Sequence, residues 1–136
     1  MIRTMHNIVI GTKGEKRVLV TAENAISFLG ETGPRVLATP NMIGLMERTC
    51  RDTVLPQLEA GYDTVGTRVD VFHLAAAPIG ATVSIAAEIT AVVERRVEFR
   101  VEAWDETEKI GEGTHERAIV NVAKFAARMA EKQTSR

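Results

Sequence analysis

The stretch that decides the fold reads Ala38-Thr39-Pro40-Asn41-Met42-Ile43-Gly44-Leu45-Met46-Glu47. A threonine followed by proline is typical of a helix N-terminus, because the hydroxyl can cap the helix and proline at its first position loses no needed hydrogen bond. At about 100° per residue, six apolar side chains then share one broad arc of the helix. They are Met42, Ile43, Leu45, Met46, Cys50 and Val54. We therefore predict a helix from Pro40 to Arg51, with a further turn through Leu58.

Glu47 lies at the border of this apolar arc, about 40° beyond Ile43. A carboxylate in that position is partly desolvated, which is how an enzyme prepares a general base or a nucleophile. An ordinary amphipathic helix also keeps glutamates at the rim of its apolar face. The helix alone favours this second interpretation.

A histidine in a predicted strand strengthens the functional interpretation of Glu47. In the strand Thr64–Ala76, the period of two places His73 in one row with Thr67, Val69, Val71 and Ala75. A histidine in such a row is more often a satisfied core residue than a catalyst, and it needs a hydrogen-bond partner there. If this strand packs on the helix, Glu47 or Thr39 is a natural partner. The three side chains would then converge on one semi-buried site.

The rest of the chain is dominated by alternating strands. The predicted strands are Met5–Ile10, Lys16–Thr21, Thr82–Val93, Arg96–Trp104 and Lys109–Phe125, and the predicted short helices are Ala22–Leu29 and Ala126–Lys132. One long helix followed by an antiparallel meander with a single apolar face indicates an α+β fold. Long alternating strands leave edges that need pairing, so we expect a homodimer or a dimer of dimers. Residues 133–136 are expected to fray.

Composition excludes several classes of protein. A chain of 136 residues with 45% hydrophobic residues predicts a single domain, residues 1–136, with its own core. The net charge of −1, with basic and acidic residues interspersed, argues against nucleic-acid binding. The lone Cys50 leaves no disulfide and no cysteine pair for zinc. Neither a signal peptide nor a membrane-spanning stretch is evident, so we expect a cytoplasmic protein with no membrane partner.

Other motifs point less clearly to chemistry. The three histidines, His6, His73 and His115, are too irregularly spaced to suggest a metal site, and no phosphate-binding glycine loop or Gly-x-Ser-x-Gly motif is present. The strand alternation slips around Thr114–Arg117, which indicates either a bulge with an exposed Glu116/Arg117 pair or an arginine that faces a ligand phosphate. Gly66 either is a hinge before a strand or offers its N–H to an oxyanion.

Three segments together resemble a known family. They are Val36–Glu47, Gly66-Thr67 followed by His73, and Gly113-Thr114-His115-Glu116-Arg117-Ala118. With collinear spacing from about Val36 to Phe125, they are similar to the fluoroacetyl-CoA thioesterase family of hotdog-fold proteins. The resemblance implies a long central helix wrapped by a curved antiparallel sheet, and a dimer with acyl-CoA sites at or near its interface.

The resemblance also implies the site residues. The family's catalytic threonine, glutamate and histidine match Thr39, Glu47 and His73, its oxyanion-side glycine matches Gly66, and its strand arginine matches Arg117. Asn41 joins Gly66 and Arg117 as a candidate for oxyanion or substrate binding. Residues on the helix are candidates for the acyl pocket, namely Met42, Ile43 and Met46. The fluoroacetyl enzyme carries an aromatic lid residue shortly before its threonine, whereas Gly30–Ala38 contains none.

We therefore expect an acyl-CoA thioesterase that hydrolyses short or medium acyl-CoA without strong fluoroacetyl selectivity. Glu47 would attack the thioester carbonyl or activate water, Thr39 would orient the reacting groups, and His73 would shuttle a proton. No metal or organic cofactor is expected, and CoA enters only as part of the substrate. Two alternatives remain: an acyl-CoA binding module without turnover, and a hotdog dehydratase or lyase acting on acyl-CoA.

Overall fold

The computed structural model describes residues 7–136. Along the chain it contains β1 (Lys13–Leu19), α1 (Thr39–Val54), β2 (Tyr62–His73), β3 (Thr82–Val93), β4 (Arg96–Trp104), β5 (Lys109–Asn121) and α2 (Val122–Thr134). The strands form a five-stranded sheet in the order β1-β3-β4-β5-β2, and every neighbouring pair is antiparallel. No helix in the described part of the chain is long and apolar enough to cross a membrane.

The core lies between α1 and one face of this sheet. From α1 come the buried side chains of Met42, Leu45, Met46, Cys50 and Val54. From β3 and β4 come those of Val83, Ile85, Ala87, Ile89, Val97, Phe99, Val101 and Ala103. Burial of each large apolar side chain contributes roughly 1.5–3 kcal/mol. The predicted α+β layout, with the helix on one apolar face of an antiparallel sheet, is confirmed.

The opposite face of the sheet carries several ion pairs. Arg100 pairs with Glu88, and Arg96 pairs with Glu98 at 2.9 Å. These partly exposed pairs contribute little to stability individually. For Arg96 and Arg100, the structure thus supports a solvated face of mixed charge rather than contacts with ligand phosphates.

The apparent slip in β5 has a different cause from the one predicted. From Thr114 to Val120 β5 alternates regularly, and its inward positions there hold His115 and Arg117, which are only 2% and 7% exposed. The register irregularity beside this stretch lies on the partner strand β2, between Gly66 and Arg68. The predicted exposed Glu116/Arg117 pair is therefore wrong. The polar residues broke the hydrophobic pattern because they occupy buried positions.

The predicted helix Ala22–Leu29 is wrong. This segment folds back on the residues before α1, with Ile26 N–H donating to the Val36 carbonyl at 2.8 Å. Ala25 bridges to Leu37, and the guanidinium of Arg35 donates to the Ile26 carbonyl at 2.9 Å. Because these contacts satisfy the backbone polar groups, the segment needs no helical hydrogen bonds.

Several boundaries also differ from the prediction. β1 begins at Lys13 and ends at Leu19, earlier than the predicted strand at residues 16–21. Met5 and His6 of the predicted strand Met5–Ile10 lie outside the described residues, and residues 7–10 form no strand. β5 ends at Asn121, whose side chain accepts a hydrogen bond from Lys124 N–H at 3.0 Å and so caps α2. The predicted strand therefore ends before Phe125.

Candidate active site

Thr39 and His73 form a direct hydrogen-bonded pair. The Thr39 hydroxyl lies 2.7 Å from His73 Nδ1. Thr39 is the first residue of α1, but the N-cap is Ala38, and no side chain caps this end of the helix. The predicted capping role of Thr39 is therefore wrong. Its hydroxyl fixes the imidazole that ends β2 instead.

The other ring nitrogen of His73 is free for chemistry. Nε2 is buried and has no hydrogen-bond partner. The ring borders an open cavity of about 380 Å³ that Thr39 also lines, together with Ile26, Phe28, Val36, Leu37, Leu74, Ala75 and Ala76. Burial lowers the pKa of His73, which favours a neutral imidazole at pH 7. A buried nitrogen without a partner, beside an apolar cavity, is suited to proton transfer with a bound ligand.

Glu47 belongs to a second polar cluster, further along α1. Its Oε2 lies 3.6 Å from Nη1 of Arg117, and its side chain is 41% exposed. Thr64 on β2 holds Arg117 in place: Nε of Arg117 donates to the Thr64 hydroxyl at 2.7 Å, and Nη2 donates to the Thr64 carbonyl at 2.9 Å. The guanidinium therefore offers Glu47 a fixed positive partner, while the carboxylate keeps access to solvent.

His115 completes this cluster from β5. Its Nδ1 lies 2.8 Å from the Arg68 carbonyl, which can only accept, so the ring proton resides on Nδ1. Nε2 is then free to accept from Nη1 of Arg117 at 3.1 Å. Burial lowers the pKa of His115, in agreement with this neutral tautomer. The arrangement fixes Arg117 on three sides.

Gly66 lies directly against the carboxylate of Glu47. A Cβ at this position would collide with Oε2 of Glu47 and would lie 3.2 Å from Cε1 of His115. The absence of a side chain lets the Glu47 carboxylate approach the β2 backbone beside the bulge. This close approach favours a glycine at the position.

The structure brings together only two of the three predicted catalytic side chains. Thr39 and His73 are in contact, but Glu47 lies eight residues further along α1 than Thr39, which is about 12 Å of helix. The two clusters are therefore separate half-sites within one chain. A carbonyl in contact with His73 lies beyond the reach of the same chain's Glu47.

The remaining predicted site residues lie elsewhere. Asn41 is exposed on α1, Ile43 is half-buried, and Met42 and Met46 are 0% and 2% exposed in the core. Loop residues and the end of β2, rather than these α1 side chains, line the cavity beside His73. Arg117 is 7% exposed and lines the same pocket as Glu47, so its contact with a ligand stays a prediction.

Sequence reasoning did not assign roles to His115 and Thr64. Their signal was available, since His115, Arg117 and Ile119 share one strand parity, and a polar pair at inward positions needs buried partners. Cys50 is fully buried, as predicted, and burial raises the pKa of its thiol to about 12. Within residues 7–136, no group of three or more histidine, cysteine or acidic side chains could hold a metal ion.

Comparison with known proteins agrees with these features. A family model described as fluoroacetyl-CoA-specific thioesterase matches residues 20–123. A fluoroacetyl-CoA thioesterase from Streptantibioticus cattleyicolor is 46% identical over 99 residues, which cover 73% of this chain and 71% of that protein. The solved structure of the fluoroacetyl-CoA thioesterase FlK is 36% identical, with a TM-score of 0.85 over 93% of this chain and 98% of that one.

A more distant structure supports the fold alone. A hot-dog-like protein from Thermanaerovibrio acidaminovorans is 22% identical, with a TM-score of 0.83 over 90% of this chain and 91% of that chain. The family match extends from the residue after β1 into α2 and includes Thr39, Glu47 and His73. The chain belongs to the fluoroacetyl-CoA-specific thioesterase family, has the hotdog fold, and is a thioester hydrolase.

Proposed function

We propose that this acyl-CoA thioesterase hydrolyses short and medium acyl-CoA thioesters to a carboxylate and free CoA, without strong fluoroacetyl selectivity. The observation that carries the proposal is the buried, unpartnered Nε2 of His73 on an apolar cavity. A structural histidine in that position would use both ring nitrogens. Variants of the related fluoroacetyl-CoA enzyme have been solved with fluoroacetate and CoA and with acetyl-CoA, which supports a short acyl-CoA as substrate.

Each half-site supplies a distinct part of the reaction. The Glu47 carboxylate attacks the thioester carbonyl or activates a water for that attack. His73, which is neutral before the reaction, takes up the proton that the attacking water releases and passes it to the departing thiolate, and Thr39 holds the ring through Nδ1. The developing oxyanion is stabilised by the Gly66 N–H and by the positive end of α1.

The separation of the half-sites supports an active site assembled from two protomers. β2 is an edge strand, and it exposes large apolar side chains, with Phe72 65% exposed. Val69 is 41% exposed, although its pair partner His115 lies on the buried face of the sheet. An exposed apolar edge strand is a ready surface for pairing with a second copy.

Such pairing would bring the Thr39/His73 half-site of one protomer next to the Glu47 half-site of the other. If two β2 strands pair antiparallel about a two-fold axis near Val69, His73 lies four residues beyond the axis. It then faces the partner residue four positions before the axis, next to Gly66 of the partner subunit. Within one chain, the side-chain atom nearest to the open side of Gly66 is Oε2 of Glu47. We therefore propose that Thr39 and His73 of one protomer act with Glu47 of the other.

A dimer is the first measurable consequence. Light scattering at micromolar concentration should report at least twice the chain mass of 14.9 kDa. Replacing both Val69 and Phe72 by lysine should shift the mass toward the monomer and abolish turnover together, because charges on an edge strand oppose pairing. The matched double replacement of Val9 and Leu19, which are exposed and lie before or on β1 at the opposite edge of the sheet, should leave the mass unchanged. A monomeric wild type with full activity would contradict the shared site.

The cavity wall determines the expected selectivity. Phe28 lines the cavity beside Thr39 and His73, but its side chain is 79% exposed and closes over nothing within the chain. An open apolar wall discriminates by only about 1–3 kcal/mol per methylene. We expect graded kcat/KM across short and medium acyl-CoAs, with fluoroacetyl-CoA favoured over acetyl-CoA only modestly, through its more electrophilic carbonyl.

An acyl-CoA panel read by thiol release tests both activity and selectivity. Phe28→Ala should change the fluoroacetyl-to-acetyl ratio by less than about tenfold, and Leu29→Ala serves as the matched control. A many-thousandfold fluoroacetyl preference that Phe28→Ala removes would overturn the proposed selectivity and identify Phe28 as the closing aromatic. Absence of thiol release would favour the binding module. Dehydration of a 3-hydroxyacyl-CoA would favour the lyase.

A further inference from the structure

A basic groove lies between the β3–β4 turn and the start of α2. We define it by Arg95, Lys124, Phe125 and Arg128, and its volume is about 420 Å³. Val120, Asn121 and Ala127 complete its lining. Neither half-site uses the residues of this groove.

The cations of this groove differ from their neighbours in having no acidic partner. On the adjoining sheet face, Arg96 pairs with Glu98 and Glu116, and Arg100 pairs with Glu88. In contrast, the structure of residues 7–136 gives Arg95, Lys124 and Arg128 no ion pair. Three unneutralised positive charges around one concavity create a local field that attracts an anion.

The rest of the groove suits a nucleotide. The half-buried ring of Phe125 has the guanidinium of Arg128 at 5.8 Å from its centroid. An aromatic face flanked by cations can stack a base and bind the attached phosphates. The groove also borders the first turns of α2, a helix of 13 residues whose N-terminal dipole favours negative charge. Glu94 is the opposing acid, on the adjoining cavity that Arg95, Phe125 and Arg128 also line.

The groove is adjacent to the Glu47 half-site. Asp63 lines the pocket of Glu47, and its register partner on β5 is Val120, which lines the groove. Paired residues on neighbouring strands lie about 5 Å apart. The pantetheine arm of CoA has roughly the length of four to five extended residues, about 15 Å. One acyl-CoA molecule can therefore span from the groove to the catalytic carboxylate.

We propose that the basic groove binds the 3′-phosphorylated ADP end of the acyl-CoA substrate. Arg95, Lys124 and Arg128 contact its phosphates, and the adenine stacks on Phe125. This inference rests on the proposed acyl-CoA substrate and adds the place where the nucleotide is recognised. It also gives a reason why charges that repel one another remain unpaired at this edge of the protein.

Direct binding of CoA to the dimer, measured by calorimetry, tests the groove without requiring turnover. The triple variant Arg95→Gln, Lys124→Gln, Arg128→Gln should raise the Kd for CoA by about tenfold or more, because charge-assisted contacts to phosphate are lost. Each single variant should raise it less. The control Lys132→Gln, on α2 but outside the groove, should leave it unchanged. Wild-type affinity should fall with added salt, and more steeply than that of the triple variant.

Substrates that lack part of the nucleotide then show whether the groove recognises that end of CoA. The triple variant should raise KM for acetyl-CoA, leave kcat within about twofold, and leave KM for acetyl-pantetheine unchanged. Dephospho-CoA should bind wild type more weakly than CoA and should lose less affinity in the triple variant. An unchanged Kd for CoA in a folded triple variant, or no CoA binding by wild type, overturns the proposal. Groove-dependent CoA binding without thioester hydrolysis would support the groove and reject the proposed activity.

Discussion

Replacing Glu47 by glutamine should lower kcat for a short acyl-CoA by about 100-fold or more, and replacing His73 by alanine should do the same. Glutamine preserves the size of the side chain beside Arg117, so a loss reports the missing carboxylate chemistry. Loss of His73 removes the proton donor to the thiolate. Thiol-release kinetics under saturating substrate measures both effects.

Thr39→Ala should cost less turnover than either change, because it releases the ring of His73 without removing a reacting group. Since Thr39 does not cap α1, the variant should not lose the roughly 1 kcal/mol of a missing cap. Thr39→Ser keeps the hydroxyl and should restore most of the activity. A rise in KM with unchanged kcat in Thr39→Ala would instead indicate a substrate-binding role.

Glu131→Gln on α2 is the matched control for Glu47→Gln, because its side chain touches neither half-site. It should keep wild-type kcat. Thermal melting and dimer mass establish that each variant is folded. A folded Glu47→Gln variant with near wild-type kcat would show that Glu47 only borders the apolar arc of α1, and the proposed mechanism would fail.

The sequence predicts α1 from its local periodicity and offers either Glu47 or Thr39 as the partner of His73; the structure pairs His73 with Thr39. Helical spacing placed the apolar arc, and strand alternation placed His73 on the inner face. The bulge at Thr67 was beyond such reasoning. Because of this bulge, Gly66 and His73 both lie on the inner face of β2. They are an odd number of residues apart, so regular alternation would place them on opposite faces. Pairing with β5 creates this offset, and pairing depends on tertiary structure.

The buried arginine shows a second limit of sequence reasoning. A charged residue in a strand normally indicates a solvated face, so the sequence predicts a surface pair or a contact with a ligand phosphate for Arg117. Its partners Thr64 and His115 belong to two strands that meet only in the sheet. Because a buried charge requires several partners at once, its environment can be recognised only when the register is known.

The loop before α1 shows a third limit. Ala22–Leu29 has residues compatible with a helix, but Arg35 and Val36 bind its backbone polar groups from the returning chain. Tertiary hydrogen bonds override weak helix propensity in a short segment. The same loop carries Phe28 to the cavity of His73, which the spacing of the sequence did not indicate.

The shared site leads to a complementation experiment with a large expected effect. Glu47→Gln and His73→Ala homodimers should both be nearly inactive, since each destroys both sites of its dimer. A purified heterodimer with one chain of each kind should recover about half of the wild-type activity. One of its sites combines an intact Glu47 with an intact His73 from the other chain, and its second site carries both lesions.

The heterodimer of Thr39→Ala with His73→Ala is the control that distinguishes this arrangement from general stabilisation. Thr39 and His73 contact each other within one chain, so each site of this heterodimer carries one of the two lesions and none is intact. It should not regain wild-type activity at either site. If the Glu47→Gln/His73→Ala heterodimer also remained inactive, Glu47 and His73 would have to act within one chain. The approximately 12 Å of helix between Thr39 and Glu47 would then have to be closed by a movement of α1 relative to β2. The shared-site proposal would be abandoned.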